Sequence, residues 1–148
     1  MVKQNDVNEK LNQCVNDLDK LAGKYGTDKC TQKVGDLSPK GYTVQYYRYL
    51  SQLRDLPVKL LEIGILAGAS LKMWEDFFPN ARIYGIDINP ECKQYETERT
   101  KVFIGDQTDR EFLRSVADLV DGQIDVVVDD GGHKRASTQS AWKSCFHV

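Results

Sequence analysis

The sequence predicts an α/β fold built on a mostly parallel sheet, and three observations predict it. Short apolar runs alternate with amphipathic segments from Leu56 onward. The first run opens into a turn with spaced glycines, Glu62-Ile63-Gly64-Ile65-Leu66-Ala67-Gly68. Each later run closes on an acid where the chain leaves the sheet: Arg82 to Ile88 near Asp87, Lys101 to Gly105 at Asp106-Gln107, and Ile124 to Asp130 at Asp129-Asp130. Strands joined through helices must cross over, which places helices on both sheet faces and leaves the strands apolar throughout.

Each element has its own local signal. Val7, Leu11, Cys14, Val15, Leu18, Leu21 and Ala22 recur at three- and four-residue steps and predict a helix from about Asp6 to Ala22. Gly23 and Gly26 are its expected stop, and a polar loop runs on through Ser38-Pro39. A second helix is expected at about Thr43 to Leu53, its tyrosines 42, 46, 47 and 49 read as core packing. Beyond the first strand, helices are predicted at about Ala69 to Phe78, Glu91 to Glu98, Asp109 to Val120 and Ser137 to Cys145, with Pro79 and Gly122 as stops. In the third of these, Phe112, Leu113, Val116, Leu119 and Val120 form the expected buried stripe. Residues 1–55 thus read as a helical cap and residues 56–148 as a Rossmann-like core.

The turn and the strand ends carry the chemistry. Dinucleotide sites use G-x-G-x-x-G to bring a pyrophosphate onto a helix N-terminus. E-x-G-x-x-x-G departs from that form and suits a cofactor with a charged amino-acid end and no pyrophosphate, such as S-adenosylmethionine (SAM). Asp87 follows Gly64 by 23 residues, close to the roughly 20-residue spacing at which an acid accepts from ribose hydroxyls. Asp106 and Gln107 would border the adenine, and Asp129 closes the fourth run. The alternative for each acid is a helix N-cap or a solvated loop.

Composition narrows the remaining classes. The chain has 148 residues, is 41% hydrophobic and 28% charged, and carries a net charge of −2. It has no bulk attraction for nucleic acid, so none is expected as a required partner. Cys14, Cys30, Cys92 and Cys145 lack the spacing of a zinc site or disulfide framework. No apolar run reaches the roughly 18 residues of a membrane span, and MVKQNDVNEK is too polar for a signal peptide. A cytoplasmic protein without a membrane partner is expected.

Lys24-Tyr25-Gly26-Thr27-Asp28-Lys29, Gly41-Tyr42-Thr43, LLEIGILAGASLKMWEDFFPNARIYGIDI, Gly105-Asp106-Gln107 and Asp129-Asp130-Gly-Gly-His133 together resemble the class I SAM-dependent methyltransferases of the macrolide and sugar O-methyltransferase type, near relatives of the cephalosporin hydroxylase-like proteins. The resemblance runs from about Lys24 to Trp142. It implies SAM-dependent methyl transfer to a hydroxyl of a glycosyl or polyketide-like small molecule. By resemblance, Glu62, Gly64, Gly68 and Ser70 would border the methionine end of SAM, with Thr27 closing over it. Asp87 would hold the ribose. His133 would be the general base for the acceptor hydroxyl, a role that suits imidazole. Asp130 would be one ligand of a magnesium ion.

In the family, the strand ending in D-D-G-x-H is followed by a helix and a fifth strand whose acids complete the metal site. This sequence reaches Val148 without such a strand and is expected to be truncated, with a sheet of about four strands and an incomplete magnesium site. His147 is read as a tail residue. Two alternatives stand beside the transferase: a remnant that binds SAM without transfer, and an NAD-type oxidoreductase, which Glu62 and the missing third glycine disfavour. The fourth strand, left as an edge, is expected to promote self-association unless the segment from Ser137 to Val148 covers it.

Overall fold

The computed structural model describes residues 17–36, 38–131 and 142–146. The expected start of the N-terminal helix with Cys14, the catalytic candidate His133, most of the segment from Ser137 to Cys145, and His147 lie outside the described residues.

Among the described residues the fold is a four-stranded parallel sheet with helices on both faces. Its strands are β1 (Lys59–Ile63), β2 (Arg82–Asp87), β3 (Thr100–Ile104) and β4 (Val126–Asp129), in the order β3-β2-β1-β4. Glu62 is level with Gly85 on one side and Val128 on the other. Because successive side chains point to opposite faces, β1 sends Leu60 to one core and Leu61 and Ile63 to the other.

The first core holds α1 (17–25), α2 (Tyr42–Leu50) and α3 (Ala69–Phe77) against Leu60, Ile83, Val102, Val126 and Val128. In α3, Ser70, Leu71, Met73, Trp74 and Phe77 are buried at helical spacing. Tyr46 and Tyr47 of α2 meet Trp74 and Phe77 edge-on at 5.3 and 6.0 Å, so these two tyrosines are packing residues. Tyr49 is 63% exposed and falls outside that role. A 3₁₀ turn (Ser51–Leu53) continues α2 and completes the predicted second helix.

The second core holds α4 (Arg110–Leu119) against Leu61, Ile63 and Ile86. Asp109 caps α4 by accepting the N–H groups of Glu111 and Phe112, which satisfies two of the four orphan donors of a helix start. The chain reverses after Val120 through Asp121 and Gly122, both at positive φ. Phe146, beyond a 3₁₀ turn (Trp142–Ser144), is buried in this core.

Three expectations are corrected. The N-terminal helix runs through Gly23 to residue 25 and ends at Gly26 (φ 76°), where the Thr27 N–H closes onto the Ala22 carbonyl. The left-handed residue sets the stop, as at most glycine C-caps. The helix expected over Glu91 to Glu98 is a 3₁₀ segment, Pro90–Tyr95. Glu96 leaves it in extended geometry, where its carboxylate accepts the Val102 N–H of β3. Leu119 is 71% exposed and not part of the buried stripe of α4, which comprises Leu113, Val116, Ala117 and Val120.

Candidate functional site

The carboxyl ends of β1, β2 and β4 meet the N-terminal segment around a cleft of about 440 Å³, with Thr27, Lys29, Gly64, Ser70, Asp87 and Asp130 among its walls. That volume lies within the roughly 300–1,000 Å³ of small-molecule sites. The place is the one expected of an open parallel sheet, outside the strand ends beside a reversal of strand order. Here β1 sends its neighbours off in opposite directions, β2 on one side and β4 on the other.

The turn after β1 is built for close approach. Gly64 has φ 83°, and a Cβ there would lie 2.6 Å from the Asp130 carbonyl oxygen and 2.7 Å from the Gly131 Cα. Only glycine lets the β1 turn pass the β4 turn at that distance. Gly68 (φ 69°) starts α3, and a Cβ on it would strike the Tyr95 ring. Between them, Ile65 and Leu66 donate their N–H groups to Asp87 Oδ2 at 3.0 and 3.1 Å, while Asn89 donates to Oδ1 at 2.9 Å. Three of the roughly four acceptor positions of this carboxylate are thereby used. About one is left for a ligand hydroxyl.

Beneath the cleft lies a charged cluster. Glu62 is fully buried; its Oε2 accepts from Ser70 Oγ at 2.7 Å, and its Oε1 lies 3.2 Å from Lys29 Nζ without a hydrogen bond. Lys29 Nζ also donates to Asp130 Oδ2 at 2.5 Å. One ammonium therefore serves two carboxylates. Burial opposes the Lys29 charge, but Glu62 and Asp130 outweigh it and raise its pKa above the ordinary lysine value. For Glu62, burial wins over the help from Lys29 and Ser70, and its pKa is raised. Burial likewise pushes the Tyr46 phenol, beside this cluster, up to about 12.

The sequence-predicted residues do not all converge. Thr27, Gly64, Ser70, Asp87 and Asp130 line the cleft together. Glu62 lies behind its wall, reached through Ser70 and Lys29. Gln107 approaches the cleft by packing its side-chain amide against Gly131. Asp106 is exposed and accepts the Thr108 N–H, which holds its carboxyl below the usual carboxylate range. Asp129 points away, accepting from Trp142 Nε1 at 3.3 Å. Sequence reasoning left Lys29 and Asn89 without roles. Lys29 ends the K-Y-G-T-D-K string, and a lysine inside so specific a string was the available signal.

No family model matches the chain. It is 35% identical over 137 residues to the 8-demethyl-8-(2-methoxy-alpha-L-rhamnosyl)-tetracenomycin-C 3'-O-methyltransferase of Streptomyces olivaceus, a match covering 88% of this chain and 33% of that protein. It is 36% identical over 140 residues to the mycinamicin VI 2''-O-methyltransferase of Micromonospora griseorubida, covering 89% of this chain and 33% of the relative. Among solved structures, it superposes on the MycE methyltransferase in complex with Mg, SAH and mycinamycin VI with a TM-score of 0.75 at 34% identity, over 88% of this chain and 36% of MycE. The chain thus spans about a third of the length of these relatives. In sequence and in fold it is similar, over that third, to the macrolide and sugar O-methyltransferases, the family that its K-Y-G-T-D-K and D-D-G-x-H strings resemble.

Proposed function

We propose that the cleft binds SAM and that the chain serves O-methyl transfer to a hydroxyl of a glycosylated, polyketide-like small molecule. The observation that carries this reading is the Asp87 clamp on the E-x-G-x-x-x-G turn, which forms one wall of the cleft, in a chain similar to sugar O-methyltransferases. The donor set fits the cofactor at its ribose: a carboxylate at the cleft wall with one free acceptor position for a hydroxyl. When bound, SAM supplies an electrophilic methyl group on a sulfonium.

The chain's own residues hold and orient. Asp87 takes the ribose; Gly64, Gly68, Ser70 and Thr27 border the methionine end, with Glu62 behind them; Asp106 and Gln107 belong to the adenine side. His133, three residues after Asp130, is the proposed base that takes the acceptor's proton. The expected setting is the cytoplasm, and no helix among the described residues is long and apolar enough to cross a membrane.

Calorimetry with S-adenosylhomocysteine (SAH) tests the binding part. Wild type is expected to bind SAH and to bind NAD no better than background, and Asp87→Ala to lose about ten- to a hundredfold in affinity. An unchanged affinity in Asp87→Ala removes Asp87 from the site. For transfer, His133→Ala is expected to abolish methylation of a glycosylated polyketide acceptor, and a fully active variant excludes His133 as the base. A second reading, SAM binding without transfer, is favoured by the hold of Lys29 on Asp130.

A further inference from the structure

The two ends of the cleft offer different chemistry. Asp87 at the end of β2 and Asp130 just past β4 lie on opposite sides of β1. An acceptor hydroxyl whose proton goes to His133, three residues after Asp130, must enter on the Asp130 side. There Asp28 and Lys40 line the cleft together with Asp130, and they pair with each other at 2.9 Å. Asp28 first, and Asp130 behind it, raise the Lys40 pKa, so the ammonium stays charged beside the cleft.

Tyr42 adjoins this pair. Lys40 Nζ lies 5.7 Å over its ring, and the residue is 39% exposed. Tyr46 meets the Tyr42 ring edge-on at 6.1 Å, and Trp74 meets Tyr46 at 5.3 Å. The row of aromatics thus starts in the first core and ends in water at Tyr42. Backbone bonds fix that end: Lys40, Gly41 and Thr43 donate their N–H groups to the Asp28, Cys30 and Lys29 carbonyls at 2.7, 2.9 and 3.1 Å. The Thr43 hydroxyl adds a bond to Asp19 at 2.6 Å. Folding does not account for the arrangement, because an exposed ion pair contributes little to stability and an aromatic ring left in water forgoes its burial.

A glycosyl ring has the complementary features, an apolar C–H face and neighbouring hydroxyls that both donate and accept. The ammonium of Lys40 keeps two of its three donors after Asp28 is served, and the Asp28 carboxylate keeps lone pairs. A rigid ring with a few placed polar groups beside it is the usual make-up of a small-molecule subsite. We propose that Tyr42 and the Lys40–Asp28 pair form the acceptor subsite of the cleft, the phenol ring packing on the face of a glycosyl ring and the ion pair binding its hydroxyls. The inference rests on the methyltransferase reading of the cleft, which places the acceptor on the Asp130 side.

The test is saturation-transfer NMR of methyl α-L-rhamnopyranoside with the 148-residue chain and SAH, alongside SAH calorimetry on the wild type. Wild type is expected to transfer saturation to the C–H protons of the sugar ring. Tyr42→Ala is expected to weaken sugar binding about tenfold, and Tyr42→Phe, which keeps the ring, to bind as wild type does. Lys40→Ala should lose about tenfold through its hydrogen bonds. No saturation transfer with wild type overturns the proposal, as does an unchanged sugar affinity in Tyr42→Ala. If Tyr42→Ala does not fold, Lys40→Ala decides, and wild-type sugar affinity in that variant overturns the proposal. A wild type that binds the rhamnoside with these dependences but not SAH removes the cofactor reading and leaves the subsite; one that binds SAH and not the rhamnoside does the reverse.

Discussion

Asp87 Oδ2 accepts the N–H of Leu66 at 3.1 Å, and Leu66 lies at φ 47°, a conformation that a branched side chain rarely adopts. The end of β2 thereby holds the turn after β1 in a strained shape. Left-handed backbone costs a non-glycine residue roughly 1–2 kcal/mol. A hydrogen bond to a charged group returns about 1.5–3 kcal/mol.

Asp87 therefore does two things at once, and its variants are expected to show both. Asp87→Asn keeps the shape but sets an amide against backbone donors, so unfolding in urea is expected to show a loss of about 1–3 kcal/mol. Its SAH affinity should fall as well. A variant as stable as wild type would show that the clamp contributes little.

Gly64→Ala is expected to be among the most damaging small substitutions. The added methyl would meet the Asp130 carbonyl oxygen at 2.6 Å, on a residue already at φ 83°. Backbone strain of this kind costs about 1–3 kcal/mol, and the clash adds to it. Urea unfolding and SAH binding should both be impaired; wild-type values in both would mean that the turns after β1 and β4 separate readily.

Glu62 makes stability depend on pH. Its folded-state pKa is raised from the ordinary 4.5, chiefly by burial, so its contribution is full below that value and is lost as pH rises through the raised one. Lys29, also raised, contributes fully below 10.5 and loses that contribution above it. Glu62→Gln should flatten the fall in urea midpoint as pH rises above 4.5. An identical pH profile in the variant would assign the slope elsewhere.

Phe146 joins Leu61, Leu113 and Val116 in the second core and is 4% exposed. Phe146→Ala is expected to cost about 3 kcal/mol or more in urea unfolding. A loss below about 0.5 kcal/mol would show that the 142–146 segment adds nothing to stability.

The two sheet edges are finished differently. Along β3, Glu96 and Lys93 occupy the Val102 N–H and carbonyl. Along the outer edge of β4, no strand pairs among the described residues. Trp142 and Phe146 pack on the α4 face of the sheet. We expect the apparent mass in light scattering to rise with concentration, as an open apolar edge favours pairing. A mass that stays at one chain throughout would end that expectation.

The alternation of strands and helices, the glycine turn and the acids at the strand ends were legible in the sequence because they are local. Apolar runs of four to six residues, the capping Asp109 and the glycines at positive φ each act on their nearest neighbours. The 3₁₀ form of Pro90–Tyr95 was not legible, since it depends on Glu96 reaching a strand that comes later in the chain. Nor did spacing reveal that Asp87 clamps the turn while Asp129 faces the opposite side, because that follows from the pleat and the register. The ammonium between Glu62 and Asp130 is the clearest case. Lys29 and Asp130 are 101 residues apart, and only the placement of β4 beside β1, with the N-terminal segment over their ends, brings the charges together. Tertiary structure decides such a pairing, because a buried charge takes whatever counter-charge the topology delivers.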